Sequence, residues 1–244
     1  MSINFHAQQN RGFRFSVIEE IQRKWRERFT GYDPERVCRI LGLERDDKYL
    51  YVRYYDDLFR LRLADGVLEK KLRQKRDRAG YIDLETGEKV DYDPDWDEDV
   101  FFNEAMSVYH ILYHVKDEPE RSGEWLTNEN IINSNARTDI PDPLLSPFSA
   151  SFSGRCDELR AACEAAGGTA IRERGDVCYE FVSFPQIPLR LIFWDADEDF
   201  PAAAKILFDS RVTDYVHIET TGCIIADLFD MLEQKQFEVQ ARPV

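Results

Sequence analysis

Cysteine is scarce in this chain, with five residues among 244, and no two of them form a C-x-x-C pair. They lie at Cys38, Cys156, Cys163, Cys178 and Cys223. An odd number of widely spread cysteines argues against a disulfide framework and against an iron–sulfur or zinc-ribbon site. We therefore expect reduced thiols in a cytoplasmic protein.

Long hydrophobic runs and excess positive charge are also missing. No stretch approaches the ~18 uninterrupted apolar residues of a transmembrane helix, and the N-terminus has no signal-peptide core. Lysine and arginine number 32 against 47 aspartates and glutamates, a formal net charge of −15. This charge repels nucleic acid and anionic membranes, so we expect neither as a partner. A small-molecule or protein partner remains open.

Hydrophobic residues make up 43% of the chain, which is enough for a globular core. Periodicity predicts helices at 13–29, 34–42, 98–115, 153–166 and 201–208 and after residue 219. Alternating β-formers predict hairpins within 50–68 and strands at 169–172, 177–184 and 187–194. We expect an α+β fold of mainly antiparallel sheets in two lobes, with helices packed on one face and a seam near 134–150. Residues 1–12 and 237–244 are predicted to be tails.

A basic run at 70–78 is followed at once by the acidic segment 91–99. The run carries no aromatic residue for base stacking, so we interpret it as a solvated strand extension facing its acidic neighbour. From Asp93 onward, carboxylates recur at the ligand positions of a calcium loop, with Glu104 at the twelfth. Glu98 stands where that loop needs glycine, so we interpret the segment as an exposed acidic loop.

The predicted helix 98–115 places His110 and His114 one turn apart on one flank, which is the spacing of a metal-binding pair. No glutamate follows the first histidine as it would in a zinc-protease motif. We therefore interpret both as helix-face histidines near solvent.

The stretch 187–236 combines an apolar strand with many candidate ligands. Its strand ends at Trp194, which we expect to be buried. Capping and turn formation can explain Asp199, Asp209 and Glu219, with Asp199 capping a helix at 201–208. Asp195, Asp197 and Glu198 are left without a structural role.

Clustered carboxylates repel one another unless a cation neutralises them. We predict a ligand-binding face formed by Trp194, Asp195, Asp197 and Glu198. Two interpretations of the wider cluster stay open: a purely structural set of carboxylates, or a divalent-metal site for Mg²⁺, Mn²⁺ or Fe²⁺ formed by Asp195, Asp197, Asp209, His217 and Glu219. These side chains are expected to converge, and no catalytic residue is assigned.

Two strings of the sequence carry a family resemblance. They are IPLRLIFWDADEDFPAAAKILFDSRVTDYVHIET at 187–220 and YHILYHVKDEPERSGEWLTNENI at 109–131. Both resemble signatures of the DUF3786 family, an uncharacterised prokaryotic domain of unknown function. The resemblance covers about residues 13–232. It implies one DUF3786-like domain at 13–236, in a soluble protein of an anaerobic bacterium or archaeon. Some members carry an added cysteine-rich segment, which this chain lacks.

The sequence contains no G-x-S-x-G elbow, no Walker A string and no G-x-G-x-x-G loop. Two hypotheses of function are therefore carried forward. The first is a non-catalytic cytoplasmic binding or accessory protein. The second is a divalent-metal-dependent hydrolytic enzyme that uses the Asp195–Glu219 cluster.

Overall fold

The computed structural model describes residues 20–21, 23–29, 33–75, 80–82, 87, 89–90, 93–131 and 142–240. The chain clusters into two compact units, residues 1–105 and residues 106–244. The boundary lies N-terminal to the predicted seam near 134–150, and most of that seam falls outside the described residues, as does the predicted tail 1–12. Both main sheets are antiparallel, and their strands come in runs separated by helices, which confirms the α+β class.

The helices match most of the predicted ones, with shorter ends. They are α1 (Pro34–Leu41), α2 (Phe102–His114), α3 (Leu145–Phe152), α4 (Cys156–Ala165) and α5 (Thr220–Gln240), with 3₁₀ turns at Asn128–Asn130 and Val212–Asp214. Residues 20–21 and 23–29 are also helical, in agreement with the second half of the predicted helix 13–29. Helix α3 was not predicted. Helix α5 runs through 237–240, so the predicted C-terminal tail begins inside a helix.

The first unit contains a four-stranded sheet in the order β1-β2-β3-β6 and the small pair β4-β5. These strands are β1 (Tyr49–Tyr54), β2 (Asp57–Arg62), β3 (Leu68–Lys71), β4 (Tyr81–Ile82), β5 (Lys89–Val90) and β6 (Trp96–Asp97). The hairpins predicted within 50–68 are confirmed. Helix α1 has the predicted caps: Asp33 accepts from the N–H groups of Glu35 and Arg36, and Gly42 ends it with φ 65°.

Part of the basic run faces the acidic segment, as predicted: β3 pairs with β6, and Lys75 forms an ion pair with Asp95. Lys70 pairs instead with Asp57 and Glu104, and Arg73 pairs with Asp57, outside that segment. The buried guanidinium of Arg60 pairs with Glu69 and Asp93 and lies over the rings of Tyr49 and Trp96. Two positions of the supposed calcium loop, Asp93 and Glu104, are thus bound to cationic side chains of the same unit.

The second unit contains a five-stranded antiparallel sheet in the order β7-β11-β10-β9-β8. Its strands are β7 (Trp125–Thr127), β8 (Thr169–Ala170), β9 (Val177–Phe184), β10 (Ile187–Trp194) and β11 (Ala203–Asp209). Helix α3 contacts β11, α4 contacts β9, and α4 also packs on α5. Among the described residues no helix is long and apolar enough to cross a membrane.

Strand β11 replaces the helix predicted at 201–208. Its alanine-rich start suits a helix, but Ala204, Ile206 and Phe208 are buried at every second position, the period of a strand. The segment pairs along its length with β10, from Trp194 opposite Ala203 to Leu189 opposite Phe208. Pairing in the sheet thus overrides local helix propensity.

The prediction that Trp194 is buried needs correction. Successive side chains of a strand point to opposite faces. In β10 it is Leu189, Leu191 and Phe193 that are fully buried, while Trp194 is only half-buried and Lys205 lies 5.6 Å from its ring centroid. Phe193 takes the core position that the sequence analysis gave to Trp194.

All five cysteines are free thiols in the structure. Burial raises the pKa of Cys163 and raises the pKa of Cys223 to about 11, so the thiolate is scarce at neutral pH. We expect slow alkylation of these two cysteines in the native protein, and five labels after denaturation without reductant. Intact-mass measurement checks this, and a product two labels short would reveal a disulfide.

Candidate functional site

The carboxylate of Asp195, just after β10, is engaged by neighbouring backbone. Its Oδ1 accepts hydrogen bonds from the N–H groups of Gly154 at 2.7 Å and Ala196 at 2.8 Å. The Cys156 thiol donates to Oδ2 at 3.5 Å. The bond from Gly154, followed by that from Ala196, lowers the pKa of Asp195. Asp195 therefore ties the end of β10 to the loop before α4.

Asp197 forms the turn between β10 and β11. Its Oδ1 accepts from the N–H groups of Asp199 at 2.9 Å and Phe200 at 2.7 Å, which is an Asx turn. The capping role predicted for Asp199 is wrong, because a strand rather than a helix follows. Glu198 and Asp199 are exposed.

Asp209 is 4% exposed at the end of β11 and accepts four hydrogen bonds. Its Oδ1 accepts from the N–H and the hydroxyl of Ser122, both at 3.0 Å, and from the N–H of Arg211 at 2.9 Å. Its Oδ2 accepts from the N–H of Gly123 at 2.8 Å. Burial alone would raise the pKa of Asp209, but these bonds outweigh it and lower the pKa. We call Asp209, Ser122, Gly123 and Arg211 the Asp209 clasp.

A second buried carboxylate, Asp214, fixes the same loop. It pairs with Lys116 at 2.5 Å and Arg211 at 2.7 Å, and it accepts from the N–H of Glu120. The loop that follows α2 is therefore held at two points to the chain after β11. This fixes the C-terminal end of α2, which carries His114, relative to the segment that leads to His217.

Three imidazoles meet in the second unit. The ring centroids of His110 and His114 are 5.1 Å apart, those of His114 and His217 are 5.5 Å apart, and those of His110 and His217 are 6.4 Å apart. The first two rings stand one turn apart on α2, and the third lies in the turn before α5. We call these three side chains the histidine cluster. His6 lies outside the described residues.

Thr220 sets the orientation of one ring of the cluster. Its hydroxyl Oγ1 lies 2.6 Å from Nδ1 of His110, and Thr220 itself is only 1% exposed. A partner at one ring nitrogen fixes the plane of an imidazole. A hydroxyl can donate or accept, so this contact suits either tautomer of His110.

Glu219 stands beside the third ring. Its Oε2 is 3.7 Å from Nδ1 of His217, and its backbone N–H donates to the same nitrogen at 3.3 Å. The two side chains are 80% and 46% exposed, respectively. The histidine cluster is therefore open to solvent on the side of His217.

The predicted convergence of Asp195, Asp197 and Asp209 with His217 and Glu219 is not found. Within the described ranges, no three His, Cys, Asp or Glu side chains stand, as placed, in an arrangement that could hold a metal ion. Each of the three aspartates instead accepts hydrogen bonds from backbone N–H groups close to it. Of the five predicted ligands, the structure brings together only His217 and Glu219.

Sequence reasoning identified the pair on α2 but not its third member. His110 and Thr220 are 110 residues apart in the sequence, so their contact depends on the fold of the second unit. One signal was present: His110, His114 and His217 all fall inside the two strings quoted above. Three of the four histidines of the chain lie in these two strings. This is a reason to test whether the two strings contact each other in the folded protein.

A small pocket lies on another side of the α5 N-terminus. Its volume is about 50 Å³, and its lining includes Asn128, Asp142, Lys205 and Gly222. That space admits a few water molecules but not a drug-sized ligand. Neither the histidine cluster nor the predicted face from Trp194 to Glu198 contributes to its lining.

Comparison with known proteins places the chain in a family. A family model described as a domain of unknown function, DUF3786, matches residues 77–229. The chain belongs to the DUF3786 family. No curated protein and no solved structure matches it. The DUF3786 match includes the whole Asp209 clasp and the whole histidine cluster, so both are features of the family domain in this chain.

Proposed function

We propose that this DUF3786 protein is a non-catalytic binding protein that holds one divalent transition-metal ion at the histidine cluster. The observation that carries the proposal is the meeting of three imidazoles from α2 and from the turn before α5, with centroids 5.1–6.4 Å apart. Imidazole nitrogen is a favoured ligand of such ions.

The ring centroids, though not the ligand atoms as placed, have nearly the spacing of imidazoles around one shared ion. With metal–nitrogen bonds of about 2.0–2.1 Å and tetrahedral angles, three imidazoles around one ion place their centroids ~5 Å apart. Two of the three observed separations lie close to that value. The third, between His110 and His217, must shorten by about 1 Å. Because His217 is 46% exposed, rotation between staggered side-chain conformations can supply this change without moving the sheet.

The ligand type changes the expected metal. The sequence analysis named Mg²⁺, Mn²⁺ or Fe²⁺ because its candidate set was rich in oxygen. Three imidazoles favour Zn²⁺, Cu²⁺, Ni²⁺ or Co²⁺ instead, since nitrogen ligands suit these ions better than Mg²⁺. The net charge of −15 further favours cations over anions as ligands.

The alternative hypothesis, a hydrolytic enzyme at the Asp195–Glu219 cluster, has less support from the geometry. Its aspartates Asp195, Asp197 and Asp209 are engaged by backbone N–H groups in three separate turns. The ligand-binding face from Trp194 to Glu198 stays a prediction.

We place the protein in the cytoplasm, a proposal supported by its five free thiols.

Competition titration of chelator-stripped, untagged protein with Zn²⁺ and a chromophoric chelator tests the proposal. We expect one equivalent to bind with a dissociation constant on the order of a micromolar or below. His114→Gln and His217→Gln should each weaken binding on the order of 100-fold, since each removes a ligand. Asp195→Asn and Asp197→Asn are the matched controls and should bind like the wild type. Unchanged affinity in both histidine variants would refute the proposal.

A further inference from the structure

We infer that residues 116–124 form a strap that opens as a unit while the five-stranded sheet stays folded, and that Asp209 holds this strap closed. The strap joins α2 to β7 and begins two residues after His114. In its open form, the C-terminal end of α2 is no longer tied through the strap to the segment that leads to His217. The inference concerns the chain alone and requires no bound metal ion.

The exposure of the strap separates it from the core. Eight of its nine residues are exposed and Pro119 is half-buried, whereas Val115, just before it, is only 2% exposed. The neighbouring sheet is different, because Leu191 and Phe193 of β10 are fully buried. Segments with few buried apolar contacts open at a lower free energy than the core does. Opening of the strap therefore exposes little apolar surface to water.

The hydrogen bonds that hold the strap converge on one short segment, 209–214. At the Asp209 clasp, the carboxylate of Asp209 accepts three bonds from Ser122 and Gly123. Two backbone bonds close the ends of the strap: Lys116 N–H to the Asp214 carbonyl at 2.9 Å, and Ser210 N–H to the Glu124 carbonyl at 2.8 Å. Contacts concentrated on one segment break together, which is the behaviour of a single opening unit.

The contribution of Asp209 follows from the donors that it satisfies. Gly123 has a φ of 76°, in the left-handed region that favours glycine, and its N–H and that of Ser122 both reach the same carboxylate. Hydrogen bonds to an ionised acceptor are roughly twice as strong as those between neutral groups. Removal of the charge of Asp209 therefore weakens the closed strap without changing an apolar side chain of the core.

Native-state hydrogen exchange at low urea concentrations tests the inference on the wild-type protein. The amides of Ser122 and Gly123 are hydrogen-bonded, so they exchange when the strap opens. We expect their protection factors to be at least about 100-fold lower than those of Leu191 and Phe193, and nearly independent of urea because little surface is exposed. Protection of the two β10 amides should fall with urea as global unfolding does.

The variant Asp209→Asn tests the part played by the carboxylate. It should lower the protection of Ser122 and Gly123 by about a further tenfold or more, again with little dependence on urea. Asp197→Asn is the matched control, because Asp197 also accepts bonds from two backbone N–H groups but lies in a different turn. Strap protection in this control should equal that of the wild type.

The outcomes are distinct from those of the metal titration. Strap amides that match the β10 amides in protection and in urea dependence would show that the strap unfolds only with the sheet, and the inference would be overturned. Early opening in the wild type that Asp209→Asn leaves unchanged would overturn the role of Asp209. Exchange is measured on chelator-stripped protein, so a failure to bind metal ions does not affect either result.

Discussion

Phe193→Ala is expected to lower the free energy of unfolding by about 3–5 kcal/mol, the usual cost of truncating a buried aromatic side chain. Phe193 is 0% exposed and lies in β10, which is paired on both sides, with β9 and with β11. The neighbouring Trp194→Ala should cost less, because Trp194 is only partly buried and its truncation returns less buried apolar surface to water. Urea unfolding of the two variants, compared with the wild type, measures both losses.

The pair of variants is a test of strand register as well as of burial. A one-residue slip of β10 would exchange the faces of Phe193 and Trp194. Equal losses in the two variants, or a larger loss for Trp194→Ala, would contradict the register between β10 and β11. The slope of free energy against urea should stay the same in both, since each variant exposes a similar surface on unfolding.

The second large effect is expected at the Asp209 clasp. Asp209→Asn should lower the free energy of unfolding at pH 7 by about 2–3 kcal/mol, because the charge-assisted bonds from Ser122, Gly123 and Arg211 are lost or weakened. The asparagine amide keeps the shape of the side chain but turns an N–H donor toward groups that are themselves donors. Asp197→Asn, in an exposed turn, is the matched control and should cost much less.

The effect of Asp209→Asn should depend on pH. The pKa of Asp209 is lowered in the folded protein, so its ionised form stabilises the fold at pH values above the unfolded pKa of about 3.9. That stabilisation is lost as the pH falls through the lower, folded pKa. The difference between wild type and variant should therefore be full at pH 7 and shrink below about pH 4. A difference independent of pH would show that the charge of Asp209 is not what stabilises the loop.

Local patterns predicted the parts of the fold that local physics determines. The caps of α1, the hairpins of the first unit and the two strands β9 and β10 follow from turn residues and hydrophobic period. The segment 203–209 does not, since its alanines are compatible with a helix and only pairing with β10 makes it a strand. The sequence analysis missed strands such as β11 and β7, whose conformation depends on the strand with which each pairs.

Local sequence patterns were also insufficient to predict the candidate site. Carboxylates such as Asp195 and Asp209 looked available for a metal because their partners are backbone N–H groups of Gly154 and Gly123, which no side-chain pattern reveals. His110 and His114 were judged as a pair on their own helix, and His217 was grouped with the carboxylates of its own segment. Their meeting depends on the loop that the Asp209 clasp holds in place, which is a property of the folded chain.

Elemental analysis of protein purified without chelator or affinity tag tests the histidine cluster most directly. We expect about one equivalent of zinc or a neighbouring transition metal per chain. The double variant His114→Gln, His217→Gln should contain less than about a tenth of that amount, while its cooperative urea unfolding is retained. Wild-type protein that holds no transition metal after dialysis against Zn²⁺, or a double variant that retains it, would contradict the proposed site.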